Sequence, residues 1–341
     1  MTTDTITMTA NRTVRLLRGD YSRDAGVPRP PDGASAEVLV LPGADPGALA
    51  ELRLTPESLV LTPAGETYEF AGAEVVAYSG DLTGDEQEIL LDGGIAVRRE
   101  SYTVAPFMPV TCLTAIAILD ADDHENFLAD ADAAVQDGTF EEHLRHPLAI
   151  LADVCALGAC RCAAPSRARA VVGEEGARPA LGGAPFADED VPGSACTVCL
   201  AGVVDREALL AGHRSRPWLP RYLHVLDVLR AMRTRLGADV DVSGFGRRFS
   251  GSLAPEPLED LDAPVLLRSD DEYLVCDPIS RRVLRIGRDA ARVMEVALAT
   301  SAVEDVARHL ELPERAAFTA VEELQGTLDR IGFTLALAEG A

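Results

Sequence analysis

The chain has 341 residues and a formal charge of −24, from 55 acidic and 31 basic residues. This length allows two or three domains, and so large an acidic excess argues against nucleic acid as the main partner. The sequence shows no export signal and no run of about 18 apolar residues that could span a membrane. We therefore expect a soluble cytoplasmic protein. Its odd number of cysteines, seven, favours metal binding or buried thiols over a disulfide framework.

The N-terminal half is predicted to contain a tail and a sheet. Residues 1–35 are mostly polar, include the Pro- and Gly-rich segment 26–31 and show no sustained apolar period, which predicts a flexible tail. Over residues 36–120, short apolar runs alternate with Gly, Pro and Asp, and this pattern is typical of strands. The longer run 111–119 predicts a buried strand. We expect a β-rich α/β domain here.

The middle of the chain, residues 121–240, changes to helical spacing. The clearest helix covers 220–236, because Pro220 suits a first turn and Gly237 suits the stop. His143 and His146 lie three residues apart without an acidic residue between them, and we interpret them as surface histidines. Residues 241–261 are rich in Gly and Pro, a composition typical of an interdomain linker.

Two close pairs of cysteines occur in this helical region. They are Cys160-x-Cys162 and Cys196-x-x-Cys199. Tetrahedral Zn²⁺ commonly takes four thiolates from two such turns, so these four residues predict a structural zinc site. Cys155 could replace one ligand. An iron–sulfur cluster and buried thiols without a metal remain alternatives.

Residues 262–341 predict a small antiparallel sheet followed by three helices. The strand patterns cover 263–268, 272–277 and 282–286. Three apolar patterns at helical spacing follow, with a capping box from Ser301 to Glu304, Pro313 at the start of the third helix and Gly332 at its end. These signals agree with one another, so we predict a winged-helix-like β3α3 module. The whole chain is expected to be a multidomain α+β protein.

This C-terminal pattern resembles the PqqD-like recognition element of pathways that make ribosomally synthesised and post-translationally modified peptides (RiPPs). The resemblance covers residues 262–341 and rests on the hairpin, the strand 282–286 and the helix that ends in Leu328-Asp-Arg-Ile-Gly-Phe333. In proteins with this element, the precursor's leader peptide adds as a strand beside the third strand and packs against the third helix. The resemblance therefore implies a peptide-binding site at Arg282, Val283, Leu284, Arg285, Ile286, Phe318, Val321, Glu322 and Gln325.

Four arginines form a basic cluster along the third strand: Arg281, Arg282, Arg285 and Arg288. They could pair with acidic residues of a leader, or they could be ordinary solvated residues of an edge strand. A winged-helix DNA-binding domain has the same elements as the module. Its acidic helices would face phosphates with few compensating charges, which favours a peptide partner.

No phosphate-binding loop, nucleophile elbow or His-Glu-x-x-His motif occurs, so we interpret the chain as a protein without its own catalytic activity. A recognition element attached to such a domain resembles the recognition proteins of daptide-type biosynthesis, which work beside separate modifying enzymes. The resemblance implies a leader-binding accessory protein that presents its precursor to a partner such as an oxidoreductase. The alternative is a peptide-modifying metalloenzyme with its active site in residues 36–240 and a fused recognition element.

Overall fold

The computed structural model describes residues 3–19, 34–66, 68, 70, 72–83, 87–159, 169–185, 199–250, 253, 263–270, 272–277, 282–300, 303–330 and 333. The fold is mixed α+β, as predicted. It forms two compact units, a first unit of residues 1–128 and 148–216 and a second unit of residues 129–147 and 217–341. Within the described ranges, no helix has both the length and the apolar character needed to cross a membrane.

The strands of the first unit are β1 (Ala34–Val40), β2 (Arg53–Pro63), β3 (Glu74–Asp81), β4 (Glu88–Leu91), β5 (Ile95–Ser101), β6 (Leu113–Ala117), β7 (Ala149–Leu151), β8 (Arg169–Gly173) and β9 (Gly176–Arg178). The strands of the second unit are β10 (Asp241–Val242), β11 (Val265–Ser269), β12 (Glu272–Cys276) and β13 (Val283–Ile286). The helices are α1 (Thr3–Arg18), α2 (Pro46–Ala50), α3 (Ala121–Asp137), α4 (Glu142–Arg145), α5 (Arg206–Ser215), α6 (Leu219–Leu236), α7 (Arg288–Ala299), α8 (Val303–Leu310) and α9 (Glu314–Arg330).

The first unit contains a nine-stranded sheet in the order β7-β6-β5-β4-β3-β2-β1-β8-β9. Strands β8, β1, β2 and β3 run parallel to their neighbours, as do β5, β6 and β7, whereas β4 and β9 pair antiparallel. The central strands are buried on both faces. In β1, for example, Leu39 belongs to one apolar cluster and Val38 and Val40 belong to another. Burial on both faces explains the continuous apolar runs that predicted these strands.

The sheet curls around helix α1. Strands β7 and β8 are seven steps apart in the sheet order, and a flat sheet would separate them by about 30 Å because neighbouring strands lie about 4.8 Å apart. Nevertheless, Arg169 of β8 forms an ion pair with Asp153, which lies two residues after the end of β7. The amides of Asp153 and Val154 donate to the carbonyl oxygens of Leu17 and Arg18 at the end of α1. The end of α1 therefore fills the space between these two strands.

The expectation of a flexible tail over residues 1–35 is wrong for residues 3–18, which form α1. Leu16 and Leu17 are buried in the inner cluster, and Arg12 and Arg15 form ion pairs with the buried Glu37 of β1. Threonine is a weak helix former, so the Thr-rich sequence gives little local signal for this helix. Tertiary packing against the sheet stabilises it instead.

Two predicted boundaries also differ from the structure. Strands β7, β8 and β9 lie within the region 121–240 that was expected to be helical, so the sheet of the N-terminal domain continues past residue 120. Strand β10 begins inside the predicted linker 241–261. These strands have two to five residues each, and runs this short carry almost no periodic signal.

The second unit contains the four-stranded antiparallel sheet β10-β11-β12-β13 and helices α7, α8 and α9, which contact one another. The predicted ends of two helices are confirmed. Helix α6 has Pro220 in its first turn and Gly237 at its C-cap in the left-handed conformation, with φ of 65°. Helix α9 starts directly after Pro313. Ser301 and Gly332 lie outside the described residues.

A buried carboxylate holds the segment 243–250 of the predicted linker in place. Glu295 of α7 is 1% exposed and accepts hydrogen bonds from the amides of Phe249, at 2.6 Å, and Ser250, at 2.5 Å. The hydroxyl of Ser243 also donates to Glu295. A carboxylate that accepts two amide hydrogen bonds fixes its donors strongly, because charge-assisted hydrogen bonds are about twice as strong as neutral ones. This part of the predicted linker is therefore a structured loop.

The interpretation of His143 as a surface residue is also wrong. Its side chain is only 6% exposed in α4, and burial lowers the pKa of His143 from 6.5 to about 4. The helix is four residues long, so sequence period alone could not show which side of it faces the core.

We predict that replacing Leu16 by Ala lowers the free energy of unfolding of the first unit by about 2–5 kcal/mol, because a buried leucine leaves a cavity. Met8→Ala is the control, since Met8 on the same helix is 48% exposed, and it should change stability by less than about 0.5 kcal/mol. Urea unfolding measures both. Equal, negligible effects would show that α1 does not pack on the sheet in solution.

We predict that stability falls as pH drops from 6.5 to 4. In this window the unfolded chain protonates His143 while the folded chain keeps it neutral, so protons favour unfolding. Each pH unit of this window corresponds to about 1.4 kcal/mol, so His143 accounts for at most about 3.5 kcal/mol. Urea unfolding of His143→Gln across this range should show a flatter profile than the wild type, and His146→Gln is the control. Identical profiles for wild type and His143→Gln would contradict this assignment.

Candidate functional site

Strand β13 is the outer strand of the four-stranded sheet. It pairs antiparallel with β12, and no other strand of the described chain lies on its second side. All five strand residues predicted to bind peptide lie here: Val283, Leu284, Arg285 and Ile286 within β13 and Arg282 directly before it. An edge strand offers unpaired backbone groups to another extended chain. The geometry therefore provides the first requirement of strand addition.

The hydrogen-bond pattern shows which backbone groups already have partners. The amide of Asp277 donates to the carbonyl oxygen of Arg282 at 2.9 Å, and this identifies the two residues as a hydrogen-bonded pair. Such pairs recur at every second residue of an antiparallel ladder. Leu284 and Ile286 consequently exchange hydrogen bonds with β12.

Val283 and Arg285 have the opposite orientation. Their N–H and C=O groups point away from β12 toward the open side of the sheet, because they occupy the alternate positions of the ladder. The edge thus presents two donors and two acceptors at a spacing of about 6.6–7 Å along the strand, the distance covered by two strand residues. An added peptide strand can use all four groups.

Side chains of β13 alternate between the two faces of the sheet. Leu284 lies opposite Val275, and Ile286 lies opposite Tyr273. Both are half-buried and pack against the cluster that the three C-terminal helices form with the sheet. A strand added beside β13 would place alternate side chains next to this half-buried apolar row.

The four predicted helix positions do not share one environment. Val321 is 4% exposed and belongs to the apolar cluster against which Leu284 and Ile286 also pack. Phe318 is 50% exposed, Glu322 is exposed and Gln325 is half-buried. Residues 318, 322 and 325 are spaced at i, i+4 and i+7, which is one ridge of a helix. They are rim positions, whereas Val321 is part of the core.

The charges at the edge are partly compensated. Arg285 forms an ion pair with Glu272 of β12, and both side chains are well exposed, at 67% and 48%. Exposed pairs of this kind contribute about 0–1 kcal/mol, so an acidic peptide can compete for Arg285 at small cost. Arg281 lies outside the described residues.

The structure describes only one of the four predicted zinc ligands. Cys160, Cys162 and Cys196 lie outside the described residues, and Cys199 is buried. Within the described part of the chain, no group of three or more His, Cys, Asp or Glu side chains is placed to hold a metal ion. The zinc site remains a prediction.

No family model, curated protein or solved structure matches the chain. The function must therefore be inferred from the residues and the geometry of the site. Sequence reasoning missed Glu295, which organises the loop beside the sheet. A signal existed, because this glutamate interrupts the apolar run Val293-Met294-Glu295-Val296-Ala297 on a helix that is otherwise buried there.

We predict that proline has different effects at two adjacent positions of β13. Leu284→Pro removes a donor that bonds β12 and should cost about 3 kcal/mol or more, whereas Arg285→Pro removes an outward donor and should cost about 1 kcal/mol. Thermal unfolding of both variants tests the assigned register. A larger loss for Arg285→Pro than for Leu284→Pro would mean that the outward residues are misassigned.

Proposed function

We propose that this protein binds the leader segment of a RiPP precursor along β13 and presents the precursor to a separate modifying enzyme. One observation carries the proposal, namely that the outward backbone groups of Val283 and Arg285 lie beside the half-buried apolar pair Leu284 and Ile286. Backbone groups on an open edge supply affinity in strand addition, and neighbouring apolar positions supply specificity. The resemblance to the PqqD-like, winged-helix-like recognition element supports the same assignment.

Backbone hydrogen bonds alone are too weak for this role. Four bonds at about 0.5–1.5 kcal/mol each give roughly 2–6 kcal/mol, while micromolar affinity requires about 8 kcal/mol. The remainder must come from apolar side chains of the leader, each of which contributes about 1.5–3 kcal/mol when fully buried. The proposed ligand is therefore an extended segment with at least one or two large apolar residues at alternate positions.

Charge supports an acidic leader over a basic one. The exposed Arg285 and Arg288 lie at or just beyond β13 in a chain of formal charge −24. Rim charges mainly affect the association rate and the orientation of the bound peptide. The acidic Glu322 on α9 would repel acidic residues on that side, so the acidic part of the leader should lie toward the strand.

The proposed accessory role follows from the way in which strand addition would hold a precursor. Strand addition holds one segment of a precursor and leaves the remainder tethered at a high effective concentration for a partner enzyme. We therefore propose binding and presentation as the function, with the modification carried out by another protein.

The test is fluorescence anisotropy of labelled precursor peptides, encoded near this gene, with the full chain. We expect micromolar or tighter binding to wild type and at least a tenfold loss in Arg285→Pro. Arg285→Ala, which keeps the backbone donor, should lose only a few-fold, because only a rim charge is removed.

A scrambled leader of the same composition is the control for non-specific binding. No binding by any precursor, or equal binding by Arg285→Pro and wild type, would refute strand addition to β13. Turnover of a precursor by this protein alone would instead support a modifying enzyme.

A further inference from the structure

The four-stranded sheet of the second unit has a second outer strand, β10, at the edge opposite β13. The amide of Ser243 donates to the carbonyl oxygen of Leu266 at 3.0 Å, and this identifies the two residues as a hydrogen-bonded pair. Val242, one residue earlier, lies opposite Leu267 and occupies the alternate position of the ladder. Its N–H and C=O groups therefore point away from β11. Among the described residues, neither group has a hydrogen-bond partner.

A cleft of about 500 Å³ borders β10. It is lined by residues 239–242, which include the whole of β10, by residues 138–140 between α3 and α4, and by Leu229 of α6. All of these residues lie in the second unit. The volume falls within the range of roughly 300–1,000 Å³ that is typical of ligand sites. A few residues of an extended chain can therefore enter the cleft and reach Val242.

The charges that line the cleft are unequally paired. Arg268 forms an ion pair with Asp241, at 2.6 Å, and Arg145 forms one with Asp239, at 2.8 Å. Asp270 also lines the cleft, is exposed, and has no ion pair or side-chain hydrogen bond among the described residues. Both arginines of the cleft thus already have carboxylate partners, whereas one carboxylate remains for a cationic group of a ligand.

Apolar side chains line another part of the cleft. Phe140 is fixed by stacking on Tyr222, with ring centroids 5.8 Å apart, and Leu229 is 4% exposed. Successive side chains of a strand point to opposite faces of the sheet, so Val242 lies on the face opposite to that of Asp241. A chain added beside β10 would consequently place one side chain on the face of Val242 and its neighbours on the face of Asp241.

We propose that this cleft binds an extended peptide segment in which an apolar residue neighbours a Lys or Arg. The apolar residue exchanges paired backbone hydrogen bonds with Val242, as in strand addition. The neighbouring cationic side chain reaches the charged part of the cleft and pairs with Asp270. An acidic side chain would instead have to displace Asp239 or Asp241 from an existing ion pair. The site lies at the opposite edge of the sheet from β13 and does not depend on leader binding.

The test is an NMR titration of the full chain, labelled with ¹⁵N-valine, with the pentapeptide Thr-Lys-Val-Lys-Thr, acetylated and amidated at its ends. The signals of Val242 and Val283 are identified by their loss in Val242→Ile and Val283→Ile. We expect the amide signal of Val242 to move downfield and to saturate with a dissociation constant on the order of 1 mM or tighter. Val283, on the outward side of β13, should not move.

Two further peptides separate the contributions of charge and backbone. Thr-Glu-Val-Glu-Thr has the same central residue but opposite charge, and it should bind at least about fivefold more weakly. Thr-Lys-Pro-Lys-Thr keeps the charge but lacks the central N–H donor, so it should leave the signal of Val242 in place.

A charge variant of the protein tests the cationic partner. Asp270→Asn removes only the charge, and Asn tolerates the positive φ of 49° at this position. It should bind Thr-Lys-Val-Lys-Thr about fivefold more weakly than the wild type does. Glu323→Gln is the matched control, because Glu323 is an exposed acidic residue of α9 that does not line the cleft. It should bind like the wild type.

Three results would each overturn the proposal: no movement of the Val242 signal with Thr-Lys-Val-Lys-Thr, equal binding of the Lys and Glu peptides, or movement of Val283 in place of Val242. Equal affinity of Asp270→Asn and wild type would overturn it as well. If Val242→Ile does not fold, backbone assignment of the wild-type chain identifies the same signal, and the peptide comparisons proceed unchanged.

Discussion

The ion pair between Arg169 and Asp153 is the interaction on which the first unit depends. It joins β8 to the end of β7 across a sheet that would otherwise hold them about 30 Å apart, and it does so around the end of α1. Asp153 has a positive φ of 52°, a conformation that costs an Asp residue little but still some energy. A buried pair whose loss leaves one uncompensated charge, at about 3–5 kcal/mol, is strong enough to hold that geometry.

The second unit is organised by a different kind of contact. Glu295 holds the loop 243–250 through backbone amides, and the guanidinium of Arg221 on α6 donates to the carbonyl oxygens of Ala263 and Pro264 just before β11. Both contacts act at the β10 and β11 side of the sheet. The β13 side is left with an open edge only four residues long. Short edge strands with charged side chains are protected against unwanted pairing with other chains.

The sequence predicted the elements whose apolar residues recur at regular spacing. Strands β1 to β3 and helices α6 and α9 were predictable from the sequence. Their signals, the apolar period and end residues such as Pro220 and Gly237, lie within each element itself. Helix α1 was not, since its Thr-rich sequence is stabilised by burial of Leu16 and Leu17 against distant strands. The same limit applies to the candidate site. The residues of β13 could be chosen from sequence, but the outward orientation of Val283 and Arg285 follows from a ladder register that only the pairing with β12 defines.

Ionic strength separates the two kinds of contact that the proposed strand addition at β13 would use. The backbone hydrogen bonds are neutral and the contacts with Leu284 and Ile286 are apolar, so salt screens both weakly. Only exposed charges beside the strand, such as Arg285, respond to ionic strength. Salt should therefore slow peptide association without much change in the dissociation rate.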